Sequence, residues 1–299
     1  MPDDFRAVSL RTPEQYAEAA ALYRAVFGYQ QPDHGLNPRL LAALAGNGGS
    51  VVGVLDAAER LVAFAYGFPG ISESALYHYS QSAVVAADLQ GRGLGRMLKY
   101  AQREVALAHG MTRMRWTYDP FQLRNAHFNL NVLGARGRWY APDLYGPGTD
   151  RLVVEWNLTT EPLRQDPERM QDFGARRDLD PHQDSDARQN SDARQDLDRR
   201  PDFEARQESE PCPESDARQE FDRRLDAEPR LGLEPSPGPE PRRDPVACVG
   251  IPADRAAVTA AVIARVRDEF AELLAKGLVA TGIRRDDEHT ASYLFGAAE

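Results

Sequence analysis

The chain has 299 residues, 42% of them hydrophobic, and a formal net charge of −10, which suits one large domain or two small ones. Its two cysteines, Cys212 and Cys248, exclude a disulfide framework and a cysteine-based zinc site, and we predict no metal site. An acidic chain without a basic stripe also argues against nucleic acid as a partner.

The ends and apolar runs of the chain favour a cytoplasmic protein. The first residues, "MPDDFRAVSL", lack the basic region and apolar core of a signal peptide. No stretch approaches the roughly 20 apolar residues of a membrane span, so we expect no membrane partner. The sequence leaves the oligomeric state open.

Residues 1–159 predict a compact unit of mixed strands and helices. "FRAVSL" predicts a strand, and Thr12 and Pro13 open a helix over "PEQYAEAAALYRAVF". A short helix at "PRLLAALAG" precedes a hairpin of "GSVVGVLD" and "RLVAFAYGF". The strand "YHYSQSAVV" then leads into a loop with three glycines, Gly91, Gly93 and Gly95.

The pattern after this glycine loop is that of a helix ending at Gly110, with apolar residues at helical spacing: Leu94, Met97, Leu98, Ala101, Val105 and Ala108. "TRMRWTY" predicts a strand, "RNAHFNLNVLG" a short helix ending at Gly134, and "RGRWYAP" and "DRLVVEW" two closing strands. Several strands follow one another directly, which argues against a doubly wound sheet.

The composition changes near residue 160. Residues 161–245 contain 24 Asp and Glu against 15 Arg and no Lys, and "SDARQ" occurs three times. Such a segment buries too little apolar surface to offset the entropy of ordering, so we predict that residues 160–245 form a disordered, acidic, low-complexity insert. The alternative is a tail whose repeats bind a partner.

Residues 246–299 predict a small βαββ unit. The strand "VACVGIPAD" is followed by a helix that ends at Gly277, and "LVATGIRR" and "ASYLFG" read as a hairpin. A unit of this size is too small to be stable alone, so we expect it to pack on the first domain.

The glycine loop lies between a strand and a helix, where free backbone N–H groups and the helix dipole attract an anion. Gly91 to Arg96 supply the N–H groups, and Arg92 and Arg96 add positive charge. The G-x-G-x-G spacing fits neither a nucleotide-triphosphate loop nor the dinucleotide fingerprint. A tight turn that holds no ligand is the alternative.

The string "AVVAADLQGRGLGR", with Gln90 before the first glycine, resembles the Q/R-x-x-G-x-G/A loop of the GCN5-related N-acetyltransferase (GNAT) superfamily. The resemblance covers residues 5–156 in element order, and Leu133-Gly134-Ala135 is similar to the family's "LGF" ending. "DPFQLRNAHFNLNVLGA" also looks like a branch of bacterial acetyltransferases that carry a C-terminal extension. The resemblance implies a mixed, twisted central sheet flanked by helices.

The resemblance also implies residue roles toward acetyl-CoA as cosubstrate. The strand before the loop would pair with the pantetheine arm, the splayed strand "RMRWTY" would leave room for it, and the Val85 N–H would donate to the thioester oxygen. Asn125 would reach the pantetheine amides. The implied cofactor-binding residues are Ala83, Val84, Val85, Gln90, Gly91, Arg92, Gly93, Leu94, Gly95, Arg96 and Asn125.

The catalytic residues are less well marked. The family often has a Tyr four residues before the "LG" glycine, but this chain has Leu130 there. Tyr118 and Tyr140 are candidate acids, and Glu73, His78 and Asp119 are candidate bases. Each also has a structural interpretation, as a packing aromatic, a hydrogen-bonded histidine or a turn residue.

The sequence thus predicts an acyl-CoA-dependent N-acetyltransferase whose acceptor is a small-molecule amine in preference to a protein. One alternative is a CoA-binding sensor or scaffold without catalysis, which the missing Tyr at Leu130 favours. Another is an interaction protein that recruits a partner through its acidic repeats.

Overall fold

The computed structural model describes residues 5–29, 35–72, 75–160 and 245–298, and these form one sheet of ten strands flanked by helices. The strands are β1 (Phe5–Ser9), β2 (Ser50–Asp56), β3 (Leu61–Ser72), β4 (Ala75–Val85), β5 (Arg113–Tyr118), β6 (Arg136–Ala141), β7 (Arg151–Asn157), β8 (Ala247–Pro252), β9 (Leu278–Arg285) and β10 (Thr290–Ala297). The helices are α1 (Pro13–Phe27), α2 (Pro38–Gly46), α3 (Leu94–Ala108), α4 (Leu123–Ala126) and α5 (Ala260–Ala275).

The strands lie in the order β1-β2-β3-β4-β5-β7-β6-β9-β10-β8. Neighbouring strands are antiparallel except β4 and β5, which are parallel. This mixed sheet flanked by helices confirms the predicted fold class.

The first helix shows how local sequence sets the element bounds. Thr12 Oγ1 accepts a hydrogen bond from the Gln15 N–H, and the Gln15 side chain accepts one from the Thr12 N–H, which forms a capping box. Pro13 follows at the first helical position, and Gly28 ends the helix with a φ of 66°. These signals place α1 where the sequence predicts it.

The two faces of the sheet are covered by different helices. Val51 packs with Leu41 and Phe64 in the cluster that faces α1 and α2. Its neighbour Val52 packs with Leu98 in the cluster that includes the buried side of α3. Successive strand residues point to opposite faces, so β2 contributes to both apolar layers.

Strands β4 and β5 pair only at their start. Their register contains two residue pairs, His78 with Met114 and Tyr79 with Arg115. Beyond Tyr79 the edge of β4 that faces β5 has no strand partner among the residues that the structure describes. A β-bulge lies at the same place, because Tyr66 pairs with Ser82 and Gly67 with Ser80, which leaves Gln81 as the extra residue.

The C-terminal strands extend this sheet at the β6 edge. Gly137 of β6 pairs with Ala280 of β9. Asn131 clamps the same strand, since its side chain donates to the Ile283 carbonyl and accepts from the Ile283 N–H, each over 2.9 Å. Trp156 and Phe270, from the two parts of the chain, lie in one apolar cluster.

The remaining part of the chain is outside the described residues. The insert expected at 160–245 falls there from residue 161 to 244, as does Glu73. In the described ranges, no helix combines the length and apolar character needed to cross a membrane. The same ranges contain no group of three His, Cys, Asp or Glu side chains arranged for a metal ion.

Candidate functional site

The glycine loop is built around two left-handed residues. Gly91 has a φ of 81° and Gly93 a φ of 83°, a region that side chains with a Cβ rarely adopt. Residues 87–89 form a short 3₁₀ turn just before them. The glycines therefore allow the chain to leave β4 and enter α3 within eight residues.

The start of α3 presents N–H groups that the helix itself does not pair. The first helical bonds run from Arg96 N and Met97 N to the Gly93 carbonyl, over 3.0 and 3.1 Å. The N–H groups of Leu94 and Gly95 precede them and have no acceptor within the helix. Gly93 has no capping side chain, and the first turn carries no acidic residue, so the positive end of the helix dipole is available to an anion.

The loop carries two arginines, and the acidic Asp88 lies in the preceding turn. Arg92 is exposed and Arg96 half-buried. A Cβ on Gly95 would have a nearest neighbour at 3.8 Å, the ring of Phe128. Gly95 therefore leaves open space at the start of α3.

The loop opens onto the unpaired edge of β4. Gln90 folds back so that its Nε2 lies 3.5 Å from the Val85 carbonyl, and Ala83 is exposed. We call the space between β4 and β5 along this edge, from the loop to Ser80 where the two strands come together, the β4–β5 groove.

Lys99 closes the narrow end of this groove. Its Nζ donates to Ser80 Oγ over 2.8 Å and lies 3.8 Å from the centroid of the Trp116 ring. Ser80 and Trp116 are each the next residue after the last paired residues of their strands, Tyr79 and Arg115. The ammonium group therefore bridges the two strands at the point where they separate.

A buried chain of hydrogen bonds continues from Lys99. Ser80 Oγ donates to Gln102 Oε1 over 2.8 Å, and Gln102 Nε2 donates to Ser50 Oγ over 3.0 Å. Ser50 Oγ lies 2.8 Å from His78 Nε2. Lys99, Ser80, Gln102, Ser50 and His78 are all buried, and we call this set the Lys99 network.

His78, a predicted base, lies at the far end of the Lys99 network. Burial, together with the charges of Lys99 and His109, lowers the pKa of His78 to about 4. The imidazole is therefore neutral near pH 7, and its Nδ1 is buried without a hydrogen-bond partner in the described structure. These contacts favour a structural role for His78.

The two predicted tyrosines lie against the C-terminal strands. Tyr118 is buried, with its hydroxyl 3.3 Å from the Tyr293 hydroxyl, which itself donates to the Pro120 carbonyl over 2.7 Å. The Tyr140 hydroxyl donates to Asp150 over 2.7 Å. Burial is the main cause that raises the pKa of both Tyr118 and Tyr140, so both hydroxyls stay protonated.

Asp150, which accepts from Tyr140, also forms an ion pair with an arginine. Arg267 of α5 forms ion pairs with Asp150 and Asp143. Burial opposes ionisation of Asp150, but the hydrogen bonds from Arg267 and Tyr140 outweigh it and lower its pKa. Tyr140 thus belongs to a contact between β6, the following loop and α5.

The remaining predicted residues lie around the short helix. Asp119 accepts from the Phe121 N–H over 2.9 Å and pairs with Arg255, as a turn residue does. Asn125 Nδ2 donates to Gln122 Oε1 over 2.7 Å. Helix α4 continues as a π-helical turn over His127–Val132, a feature frequent at functional sites.

Leu130, which replaces the family's Tyr, is buried in this π-helical turn. Its neighbour Asn129 accepts a hydrogen bond from Trp116 Nε1 over 3.0 Å. The indole of Trp116 therefore contacts the π-helical turn through its nitrogen and Lys99 through its ring face.

The structure thus brings the loop residues and the β4 edge together. Of the three catalytic candidates, His78 lies in the Lys99 network, whereas Tyr118 lies in, and Tyr140 packs against, the apolar cluster that contains Phe270 and Tyr293. Four members of the Lys99 network were not predicted from the sequence: Lys99, Gln102, Ser80 and Ser50. One signal was present: the buried residues of α3 are Leu94, Leu98, Lys99, Gln102 and Ala106, so two polar residues share the helical spacing of the apolar face.

The chain matches no family model and none of the curated proteins. Among solved structures it is similar to an acetyltransferase of the GNAT family from Desulfovibrio desulfuricans, with 14% identity and a TM-score of 0.42 over 52% of this chain and 99% of the other. An acetyltransferase from Salmonella typhimurium, solved with acetyl-CoA, has 16% identity and a TM-score of 0.44 over 55% and 99%.

A third similar structure is an aminoglycoside 6'-N-acetyltransferase complexed with coenzyme A, with 12% identity and a TM-score of 0.42 over 52% of this chain and 99% of the other. The described topology has the element order, the splayed strand pair and the glycine loop that the sequence resemblance implied. The mixed sheet flanked by helices is the fold class that this resemblance implied.

Proposed function

We propose that this protein is an acyl-CoA-dependent N-acyltransferase that moves an acetyl group from acetyl-CoA to the amine of a small molecule. One observation carries the proposal: the anion-binding start of α3 opens directly onto the unpaired edge of β4. A ligand with a pyrophosphate at one end and an amide-containing arm needs these two features side by side.

The residues present fit such a ligand. The N–H groups from Gly91 to Gly95 would hold the pyrophosphate, with the side chains of Arg92 and Arg96 adding charge. The edge from Ala83 to Val85 would pair with the pantetheine amides as an added strand. Asn125, half-buried on α4, remains a proposed contact to the same arm.

The direction in which the pantetheine arm runs along β4 determines where the acyl group lies. With the pyrophosphate at the loop, the thioester end lies away from Val85, near Ser80. At about 3.3 Å per strand residue, Ser80 and Val85 are separated by about 17 Å. The N–H groups around the Gln81 bulge, and not the Val85 N–H, are therefore the proposed donors to the thioester oxygen.

The proposed transfer needs few further contributions from the chain. Coenzyme A supplies the acyl group as an activated thioester. The chain orients that group against the β4 edge, excludes water from the closed end of the groove, and polarises the carbonyl through backbone N–H groups. The attacking amine must lose a proton, which goes to solvent in this scheme.

A CoA-binding protein without catalysis is the second candidate. It is favoured by Leu130 in place of the family's Tyr and by the structural contacts of His78, Tyr118 and Tyr140. In this case the groove would hold coenzyme A as a signal, with no transfer.

One experiment separates the two candidates. The full chain is incubated with isotope-labelled acetyl-CoA and a metabolite extract, and labelled products are detected by mass spectrometry. A labelled N-acetyl product that needs the protein supports the transferase. Acetyl-CoA binding without any labelled product favours the sensor, and absence of binding contradicts both.

A further inference from the structure

Lys99 is a buried lysine at the point where β4 and β5 separate. Its side chain contacts Ser80 Oγ and the Trp116 ring, and among the described residues it forms no ion pair with a carboxylate. Burial lowers the pKa of Lys99 to about 7. Placing an ammonium group in such a site costs stability, so its presence calls for a reason beyond packing.

The hydrogen bonds of the Lys99 network determine which atom accepts from Lys99. Gln102 Nε2 donates to Ser50, so Gln102 Oε1 accepts a hydrogen bond from the Ser80 hydroxyl. The Ser80 oxygen is then free to accept from Lys99. His78 is the titratable group that the network links to Lys99, and it is neutral near pH 7 because its pKa is about 4.

The residue at position 99 is a lysine in a chain whose other basic residues are nearly all arginines. The chain has 36 Lys and Arg residues, of which only Lys99 and Lys276 are lysines. An arginine stays charged at any physiological pH, whereas a buried lysine exchanges its proton readily. Lys276 is exposed and pairs with Glu272, so Lys99 alone combines burial with a place at the groove.

The groove also lacks the usual acid. Leu130 occupies the position where the resembling family often has Tyr, and it adjoins Asn129, which bonds to Trp116. Lys99 lies on the ring face of the same Trp116.

We propose that Lys99 is the catalytic acid that protonates the sulfur of the departing coenzyme A. This inference rests on the proposed transferase function and adds a residue to it. The amine nitrogen bonds to the acyl carbon, and the C–S bond breaks with its electron pair going to sulfur. Lys99 Nζ gives that sulfur a proton, the amine proton goes to solvent, and Lys99 regains a proton from solvent.

The test uses free coenzyme A as the probe and needs no acceptor. The ultraviolet absorbance of the thiolate follows the ionisation of the bound thiol against pH, with the S-methyl-CoA complex as blank, which cancels the protein cysteines. The variants are Lys99→Met and, as matched control, Lys276→Met. A nearby cation lowers a thiol pKa.

We expect the thiol bound to the wild type and to Lys276→Met to titrate about one pH unit or more below the thiol bound to Lys99→Met. Equal thiol pKa values in wild type and Lys99→Met would overturn the role of Lys99. Failure of the wild type to bind coenzyme A in calorimetry would instead contradict the proposed function.

A second measurement avoids the Lys99→Met variant, in case it does not fold. Selective ¹³C labelling of lysine gives two side-chain signals, and Lys276→Met assigns them. The pKa of Lys99 should rise by about one unit or more when coenzyme A replaces S-methyl-CoA, because the thiolate stabilises the ammonium group. An unchanged pKa of Lys99 would overturn the proposal.

Discussion

Gly137 lies so close to Ala280 that any other residue at this position would collide with it. A Cβ built on Gly137 would lie 2.9 Å from the Ala280 Cβ and 2.9 Å from Leu152 Cδ2. This close approach is where the C-terminal strands join the rest of the sheet.

Gly137→Ala should therefore destabilise the protein by about 1–3 kcal/mol, because the added methyl group overpacks the junction. Chemical denaturation measures this loss. Gly250→Ala is the matched control, since a Cβ at Gly250 meets no atom within 4 Å. Equal stability of the two variants would contradict the tight junction.

Deletion of residues 246–299 should abolish folding of the remaining chain. The deletion removes Phe270 and Tyr293 from the cluster that also contains Tyr118, and it exposes that apolar surface to water. Circular dichroism should show lost cooperative unfolding, and acetyl-CoA binding and transfer should be lost together. Retained acetyl-CoA binding would contradict this account and favour a role for the C-terminal unit toward the acceptor alone.

Stability should rise with pH between about 4 and 6.5 because of His78. Its folded-state pKa of about 4 lies below the ordinary value of 6.5, so the unfolded chain binds the proton more readily in this window. The contribution is about 3 kcal/mol, and it is lost as the pH falls. The pKa of Lys99 is lowered from 10.5 to about 7. Lys99 therefore adds a further increase of stability with pH only above pH 7.

Urea unfolding at several pH values checks this prediction. His78→Gln should flatten the slope between pH 4 and 6.5, because the titrating imidazole is removed. His289→Gln, which changes an exposed histidine, should keep the wild-type slope. A wild-type slope in His78→Gln would show that other groups cause it.

Tyr118→Phe and Tyr140→Phe should each leave the transfer rate within about threefold of the wild type. Their hydroxyls bond to Tyr293 and Asp150, so the expected loss is in stability. Steady-state kinetics with acetyl-CoA and any accepted amine tests this. A hundredfold loss of kcat in either variant, with acetyl-CoA binding unchanged, would restore that tyrosine as the acid.

The sequence predicted the strands and helices well because their signals are local. Thr12 and Gln15 cap α1, and Gly28 ends it. The glycine loop is equally local, since positive φ at Gly91 and Gly93 is a property of single residues. The element order and the resemblance then predicted the splay of β4 and β5.

The Lys99 network could not be predicted in the same way. Lys99 and Trp116 meet only because α3 packs across β4 and β5, and a helical pattern does not tell which polar residue is buried. The π-helical turn also has the sequence pattern of an ordinary helix. Tertiary packing therefore decides which polar side chains reach the groove.

Substitutions at Gly95 test, without straining the fold, the proposal that the glycine loop binds the pyrophosphate of acetyl-CoA. Gly95 is helical and has room for a Cβ, so Gly95→Ala should fold and bind. Gly95→Glu places a carboxylate in the first turn of α3, where it stabilises a helix but repels a phosphate.

Calorimetric titration of acetyl-CoA into the wild type, Gly95→Ala and Gly95→Glu is the most direct measurement. We predict one molecule bound per chain in the first two proteins and an affinity at least about tenfold weaker in Gly95→Glu. Equal affinity in the wild type and Gly95→Glu would contradict the assignment of the loop.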